Sequence, residues 1–419
     1  MKPLRVEFTA SDANNNTRRS SCSVIVSWLS WFLFLSCLLL GVLLIFLRML
    51  PQVFSTFEQT ADASDNNILP TINDVDWNAN HRSVLILAQG RSGSSFLGEM
   101  FNQHPEVLYL YEPLHAYKIF SMTGIFPAGS YGVNALQVLY DIFNCHFSSL
   151  QDYLTFISFP ELSSPHFRLA SRTLSAPPFC KALATQHTYD KLSAKQYRDF
   201  CPQLHFRQVS KACKTKRYTV VKDLVQRLPF ENSTNIERLL NLQPDLHLVY
   251  LVRDPRAVVI SMKTMQWIGD GPESKFADVE SAASYVCKQT LDILWSIDRW
   301  SIPYGPRVHL MRYEDLASKS VQKAEELFKA LGIPFSDKVR YWIELNTNSN
   351  QLNKMDPYRV DHRNASVSLN AWKSAIKNKE LITIQKHCST VMTILKYNSF
   401  DDVLYLRDPV MPSFRDFTY

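Results

Sequence analysis

The sequence predicts an α/β fold, a parallel sheet covered by helices on both faces. Three observations predict it. From Ser83 onward, short apolar runs of buried-strand length alternate with segments of helical period. Leu85–Leu97 reads as a strand, a turn of small residues and a helix start in immediate succession. The composition, 46% hydrophobic and 20% charged over 419 residues, is that of a globular chain with a sizeable core.

The N-terminal part is organised differently. Residues 1–23 carry Lys2, Arg5, Arg18 and Arg19 against Glu7 and Asp12. Val24–Leu47 holds no charged residue, and its 24 residues can cross a hydrocarbon core of about 30 Å. The run is longer than a signal-peptide core and no Ala-x-Ala-like cleavage site follows it, so it reads as an uncleaved transmembrane signal-anchor. The basic residues precede it, which orients 1–23 as a cytosolic tail and the bulk as luminal, a single-pass type II arrangement. Residues 48–80 are polar and acidic, with Glu58, Asp62, Asp65, Asp74 and Asp76, and read as a luminal stem. The whole chain is +6, and with the basic tail and acidic stem set apart residues 81–419 hold about +8, which suits an anionic nucleotide or glycan. No nucleic-acid partner is expected, and a homo-oligomer is left open.

Within 81–419, strands are expected at Val84–Ala88, Val107–Tyr111, Tyr218–Val221, Leu246–Val252 and Val308–Met311. Helices are expected at Ser94–Asn102, Asn235–Leu242, Pro255–Met265, Ala282–Trp300, Val321–Leu331 and Leu381–Tyr397. Gly332 and Pro334 stop the Val321–Leu331 pattern. Residues 114–215 show no sustained period and read as a long irregular insertion suited to acceptor recognition. The luminal part holds six cysteines, Cys145, Cys180, Cys201, Cys213, Cys287 and Cys388, enough for three disulfides in an oxidising compartment. Cys201 and Cys213 are close enough in sequence to close a small loop, but 15 pairings stay open. No metal is expected, because the cysteines lack C-x-x-C spacing. Sequons occur at Asn15, Asn232 and Asn364, the last two on the luminal side.

Two motifs carry the chemistry. Arg91-Ser92-Gly93-Ser94-Ser95-Phe96 lies between a strand and a helix, where backbone N–H groups and the helix dipole form an anion cradle. This makes the sheet P-loop-like. Gly93 allows close backbone approach, the serines add hydroxyl donors, and Arg91 can meet charge developing on a leaving group. The G-x-x-x-x-G-K-[ST] pattern of a nucleotide kinase is absent. About 160 residues later, Arg253 ends a strand, Asp254 is a natural N-cap, Pro255 suits a first helical turn, and Ser261 lies two turns into the helix. Arg253 can fork onto a second phosphate.

These two segments in this order resemble the phosphate-binding halves of a PAPS-dependent sulfotransferase, where PAPS is 3′-phosphoadenosine 5′-phosphosulfate. With Phe101-Asn-Gln-His104, Tyr109-Leu-Tyr-Glu-Pro113, Arg312-Tyr-Glu-Asp-Leu316, Leu331-Gly-Ile-Pro334 and Ala371-Trp-Lys373, residues 82–400 resemble the Golgi carbohydrate 6-O-sulfotransferases. The resemblance implies in-line transfer of sulfuryl from PAPS to the 6-hydroxyl of galactose, N-acetylgalactosamine or N-acetylglucosamine, in keratan- or chondroitin-like chains. It makes Glu112 the general base, Lys222 the cation beside the sulfonate, and Trp372 and Lys373 neighbours of the nucleotide. Where cytosolic relatives carry a histidine two residues after this lysine, this chain has Leu224. His104 and His115 are rival bases, with His104 better suited to a helix C-cap. Asp315 is expected to cap a helix, with Glu314 in its first turn. A P-loop-type nucleotide kinase and a non-catalytic glycan-binding membrane protein are the alternative readings.

Overall fold

The computed structural model describes residues 81–124, 131–228, 234–271, 274–347 and 365–417. The tail, anchor and stem assigned to residues 1–80 lie outside the described residues, as do Asn15, Asn232 and Asn364. Among the described residues, no helix is long and apolar enough to cross a membrane.

Five strands, β1 (Arg82–Ala88), β2 (Val107–Tyr111), β3 (Tyr218–Leu224), β4 (Leu246–Val252) and β5 (Val308–Arg312), form one sheet in the order β2-β3-β1-β4-β5. Every neighbouring pair is parallel. Because side chains alternate along a strand, the sheet feeds two cores. Val84, Ile86 and Ala88 pack with Leu97, Phe101, Leu327 and Phe328 on one face. Leu85 and Leu87 pack on the other, with residues of the Pro255–Thr264, Val279–Trp300 and Asn378–Ile394 helices. This two-faced burial is the expected architecture.

The ends of β2 and β4 and of the Ser94–Asn102 helix coincide with the sequence reading. β3 runs further than expected. Its ladder with β1 continues to Ala88 opposite Leu224, so Lys222 lies inside the strand rather than closing it.

Residues 114–215 are not irregular. They form a succession of helices, including Leu114–Met122, Tyr131–Phe143, Gln151–Ser158 and Phe206–Lys214. Many are short; their apolar side chains, among them Phe120, Leu139, Phe143 and Leu154, join the main core, and one polar hub ties the loops between them. Arg168 is fully buried and donates to the carbonyls of Leu174, Phe179, Cys201 and Pro202. Hydrophobic periodicity does not register such a hub. The six cysteines form three disulfides, Cys145–Cys213, Cys180–Cys201 and Cys287–Cys388. The small Cys201–Cys213 loop does not form. Cys213 instead ties the helix before β3 to the end of the Tyr131–Phe143 helix.

β1 is central, and the chain runs from it to opposite sides of the sheet. The crevice at the carboxyl ends beside such a strand is where open α/β sheets place ligands.

Candidate active site

The turn after β1 is built around Gly93. It sits at φ +85° as the N-cap of the Ser94–Asn102 helix, and a Cβ there would come within 2.4 Å of the Tyr313 ring. The turn closes through Ser92 N–H to the Gln89 carbonyl at 3.2 Å and Phe96 N–H to the Gly93 carbonyl at 3.0 Å. The first amides of a helix lack intrahelical acceptors, so Ser94 and Ser95 present N–H groups for an anion. Ser92 and Ser94 are buried in the cradle. The Phe96 ring leaves it and packs against Trp342, 5.9 Å between centroids.

The second motif meets the first directly. Arg91 donates from Nε to Ser261 Oγ at 3.1 Å, and Arg253 donates from Nη1 to the Arg91 carbonyl at 3.0 Å. The Arg253 guanidinium lies 4.6 Å from the centre of the Tyr313 ring. Asp254 caps its helix as expected, accepting from Arg256 N–H, and also binds the fully buried Arg256 side chain. Trp372 is buried against Arg256, at 5.3 Å, so its indole serves the core. Lys373, half-buried, lies beside Asp254 and Arg256, and burial lowers its basicity.

Glu112, just past the end of β2, converges on Lys222 inside the neighbouring β3. Tyr111 pairs with Lys222 in the β2–β3 register, and Glu112 N–H donates to the Lys222 carbonyl at 2.7 Å. The Glu112 carboxylate is buried and ion-paired with Lys222 through one oxygen and with Arg227 through the other. Burial would raise its pKa, but Lys222 and Arg227 overcome that and hold it at about 2. Burial depresses the Lys222 pKa, with Glu112 opposing. Asp223 accepts from the Leu114 and Leu224 amides and is pushed up to about 6 by burial, against Arg227.

Tyr111 lies beside this pair: Lys222 Nζ sits 4.6 Å from its ring centre, and burial, with the Glu112 charge next, raises its pKa. Arg91 (φ 72°) and Glu112 (φ 50°) are both left-handed, a conformation costing a non-glycine residue about 1–2 kcal/mol. Such strain clusters at functional sites, and here it marks the residues following β1 and β2.

The rival bases separate. His104 lies at the entry to β2, bonding the Pro334 carbonyl through Nε2 and accepting Glu106 N–H through Nδ1. It does not cap the Ser94–Asn102 helix, where Gln103 holds the C-cap position. His115 stays near Glu112, whose carbonyl accepts its N–H at 3.0 Å, and its ring stacks on Phe167 at 4.4 Å. Burial, with Arg227 next, lowers its pKa to about 4. Asp315 is not an N-cap. It forms a two-point pair with Arg312, which itself occupies the cap position of Tyr313–Ser318. Glu314 is buried and accepts from Asp254 N–H at 3.0 Å and Tyr397 OH at 2.7 Å.

Glu314 lies in the first helical turn as expected, whereas sequence reasoning gave no role to Arg227, Tyr111 or Tyr313. The interval from Lys222 to Arg227 held a signal, because a second cation at a strand end near a carboxylate invites pairing. Nothing in the sequence marked Tyr313 as the neighbour of Gly93.

Several relatives share 28% identity with this chain, two of them as follows. Carbohydrate sulfotransferase 4 of Mus musculus aligns over 75% of this chain and 81% of its own. Carbohydrate sulfotransferase 3 of Homo sapiens aligns over 78% and 69%. Among solved structures, a sulfotransferase domain from the curacin biosynthetic pathway covers 74% of this chain and 97% of its own, at 18% identity and a TM-score of 0.39. Residues 83–337 match the family model described as Sulfotransferase family, a span that runs from β1 past the strained Arg91 and Glu112 to Glu314, and the chain belongs to that family.

Proposed function

We propose that this sulfotransferase takes PAPS as donor and transfers its sulfuryl group to the 6-hydroxyl of a galactose, N-acetylgalactosamine or N-acetylglucosamine residue of a glycan or proteoglycan chain. The observation that carries the reading is the physical union of the two phosphate-binding motifs through Arg91, Ser261 and Arg253, beside a buried Glu112–Lys222 pair. A donor with phosphate on both ends of its nucleoside needs two such halves. The relatives named carbohydrate sulfotransferases support a sugar acceptor.

The residues fit the donor. The Ser92–Ser95 turn and its helix N-terminus would hold the 5′-phosphosulfate, and Arg253 with Ser261 the 3′-phosphate. The bound donor supplies an activated sulfuryl group. Arg91 and Lys222 offset negative charge around it. Glu112 takes the proton of the acceptor hydroxyl. A carboxylate held at about 2 is ionised at any working pH but is a weak base. Lys222 has three N–H donors, so turning some of its charge toward a sulfonate leaves Glu112 more basic than in the resting pair. Arg227 keeps the carboxylate in place.

We place the catalytic domain in the Golgi lumen, on the charge asymmetry around Val24–Leu47. In intact microsomes the C-terminus should resist protease, and Asn232 or Asn364 should carry glycan. A digested, unglycosylated chain rejects that topology. The activity itself is tested with labelled PAPS and a panel of keratan, chondroitin and N-acetyllactosamine acceptors. Label on the 6-position of a sugar supports the reading. No label on any acceptor, with turnover of ATP and Mg²⁺ in its place, rejects it.

A further inference from the structure

The segment Arg312-Tyr313-Glu314-Asp315 takes no part in the transfer chemistry, yet it joins the donor site to the end of the chain. Tyr313 meets the donor site: its ring centre lies 4.6 Å from the Arg253 guanidinium, and the ring stands 2.4 Å from where a Cβ on Gly93 would be. Glu314 reaches the loop after β4, accepting from Asp254 N–H at 3.0 Å. Arg312 is buried and holds the C-terminal segment. Besides its two-point pair with Asp315, it donates to the Leu395 carbonyl at 2.9 Å and the Arg415 carbonyl at 2.8 Å. The rings of Phe414 and Phe417 lie 4.8 and 5.2 Å from its guanidinium.

A second buried arginine repeats the arrangement. Arg256, three residues beyond Arg253, donates to the Asn398 carbonyl at 2.8 Å and the Ser413 carbonyl at 3.4 Å. The C-terminal segment is itself fixed by its backbone: Asn398 N–H donates to the Ser413 carbonyl and Arg415 N–H to the Lys396 carbonyl, both at 2.9 Å. Ser413 and Arg415 therefore each receive a guanidinium, one from the helix after β4 and one from the end of β5. A buried cation keeps its geometry only where its donors are satisfied and water is excluded. Ring faces over a guanidinium attract it and shield it at once. Arg253 and Tyr313 lie on separate loops, and the C-terminal segment ties those loops together through Arg256 and Arg312.

We infer that residues 413–417 clamp the donor site. Phe414 and Phe417 are positioning residues that act through Arg312 and Tyr313 on Arg253, and so set the preference for a nucleotide that carries a 3′-phosphate over one that lacks it. The inference rests on the proposed contact of Arg253 with that phosphate and adds what holds Arg253 in place.

The test uses the full-length protein in detergent and two probes, adenosine 3′,5′-bisphosphate and adenosine 5′-monophosphate, each titrated by calorimetry. Wild type should bind the bisphosphate about tenfold tighter or more. Phe414→Ala and Phe417→Ala remove ring cover and leave the hydrogen-bonding groups of Arg312 in place, so they perturb folding less than Arg312→Ala. Each should weaken the bisphosphate about fivefold and the monophosphate less than about twofold, so the ratio between the probes falls. Phe417→Tyr keeps the ring and should restore the ratio. Phe156, whose ring packs on Phe120 at 5.4 Å, supplies the control for lost stability alone: Phe156→Ala should lower Tm and keep the wild-type ratio. A wild-type ratio in both C-terminal alanine variants overturns the inference, and so does an equal fall in Phe156→Ala. A ratio lost in Arg253→Ala but kept in those two variants overturns the inference alone. A wild type that binds both probes alike overturns the 3′-phosphate reading of Arg253 and the inference with it.

Discussion

Arg91 Nε donates to Ser261 Oγ at 3.1 Å, across 170 residues of sequence. Each of these residues is a natural phosphate ligand, yet here they hold each other. The cradle after β1 and the helix after β4 are therefore tied before nucleotide arrives, and Arg253 doubles the tie through the Arg91 carbonyl. A donor that bridges the two halves exchanges these internal contacts for its own, which lowers the reorganisation required on binding.

Arg253 gives the sharpest test of the second half. A hydrogen bond involving a charged group contributes about 1.5–3 kcal/mol, so Arg253→Ala should weaken the 3′,5′-bisphosphate nucleotide about tenfold or more. Acceptor affinity should change little. Calorimetry on the folded variant checks both, and unchanged nucleotide affinity removes Arg253 from the phosphate site.

Gly93→Ala should fail for a different reason. The φ of +85° alone costs an alanine about 1–2 kcal/mol, and its Cβ meets the Tyr313 ring at 2.4 Å. Either Tyr313 moves and releases Arg253, or the turn opens. Both outcomes lower nucleotide affinity and thermal stability together. A variant that melts and binds as wild type shows that Tyr313 does not close on the turn.

The sheet was legible in the sequence because each strand carries an apolar run; only the end of β3 was hidden, where the ladder continues through Lys222 and Asp223. The two motifs were legible because glycine, serine and arginine at those spacings have few other uses. What stayed hidden was polar and long-range. In 114–215 the helices are short and broken by turns, and the loops between them are held by Arg168 through carbonyl contacts that leave no pattern in sequence. Arg227 and Tyr111 act through side chains that meet only once the strands are in register. The Glu314–Tyr397 contact joins segments 83 residues apart and leaves no local trace.

Glu314 carries a pH signature. Burial, with the Asp254 charge next, raises its pKa from 4.5 to about 6. Between those values the folded state binds a proton that the unfolded chain has released. Its contribution to stability therefore falls as pH rises through this window, by about 1 kcal/mol between 4.5 and 6 out of about 2 kcal/mol in all. Glu314→Gln cannot titrate, so the stability difference between wild type and variant should shrink over that window. Urea titrations at pH 4.5, 5.2 and 6.0 measure it; a constant difference shows that Glu314 keeps an ordinary pKa.

Glu112 and Lys222 bear on the chemistry itself. Both are buried and ion-paired, Glu112 just after β2 and Lys222 beside it inside β3, with the Tyr111 ring 4.6 Å from Lys222 Nζ. Glu112→Gln keeps the shape and loses the basic oxygen, and removal of a general base lowers turnover by about 10²–10⁴-fold. Nucleotide affinity should stay near normal, because Arg253 and the cradle are untouched. Lys222→Ala should also lower turnover, with a smaller loss of nucleotide affinity than Arg253→Ala, and it leaves Glu112 to Arg227 alone. Since the Glu112 pKa lies near 2, its ionisation should give the free enzyme no acid limb in kcat/KM between pH 5 and 7. Single-turnover kinetics of the two variants and the wild-type pH profile decide the matter. If Glu112→Gln keeps near wild-type turnover when chemistry limits the rate, the proton goes elsewhere. His115, three residues on and held largely neutral with a pKa of about 4, is then the base to substitute next.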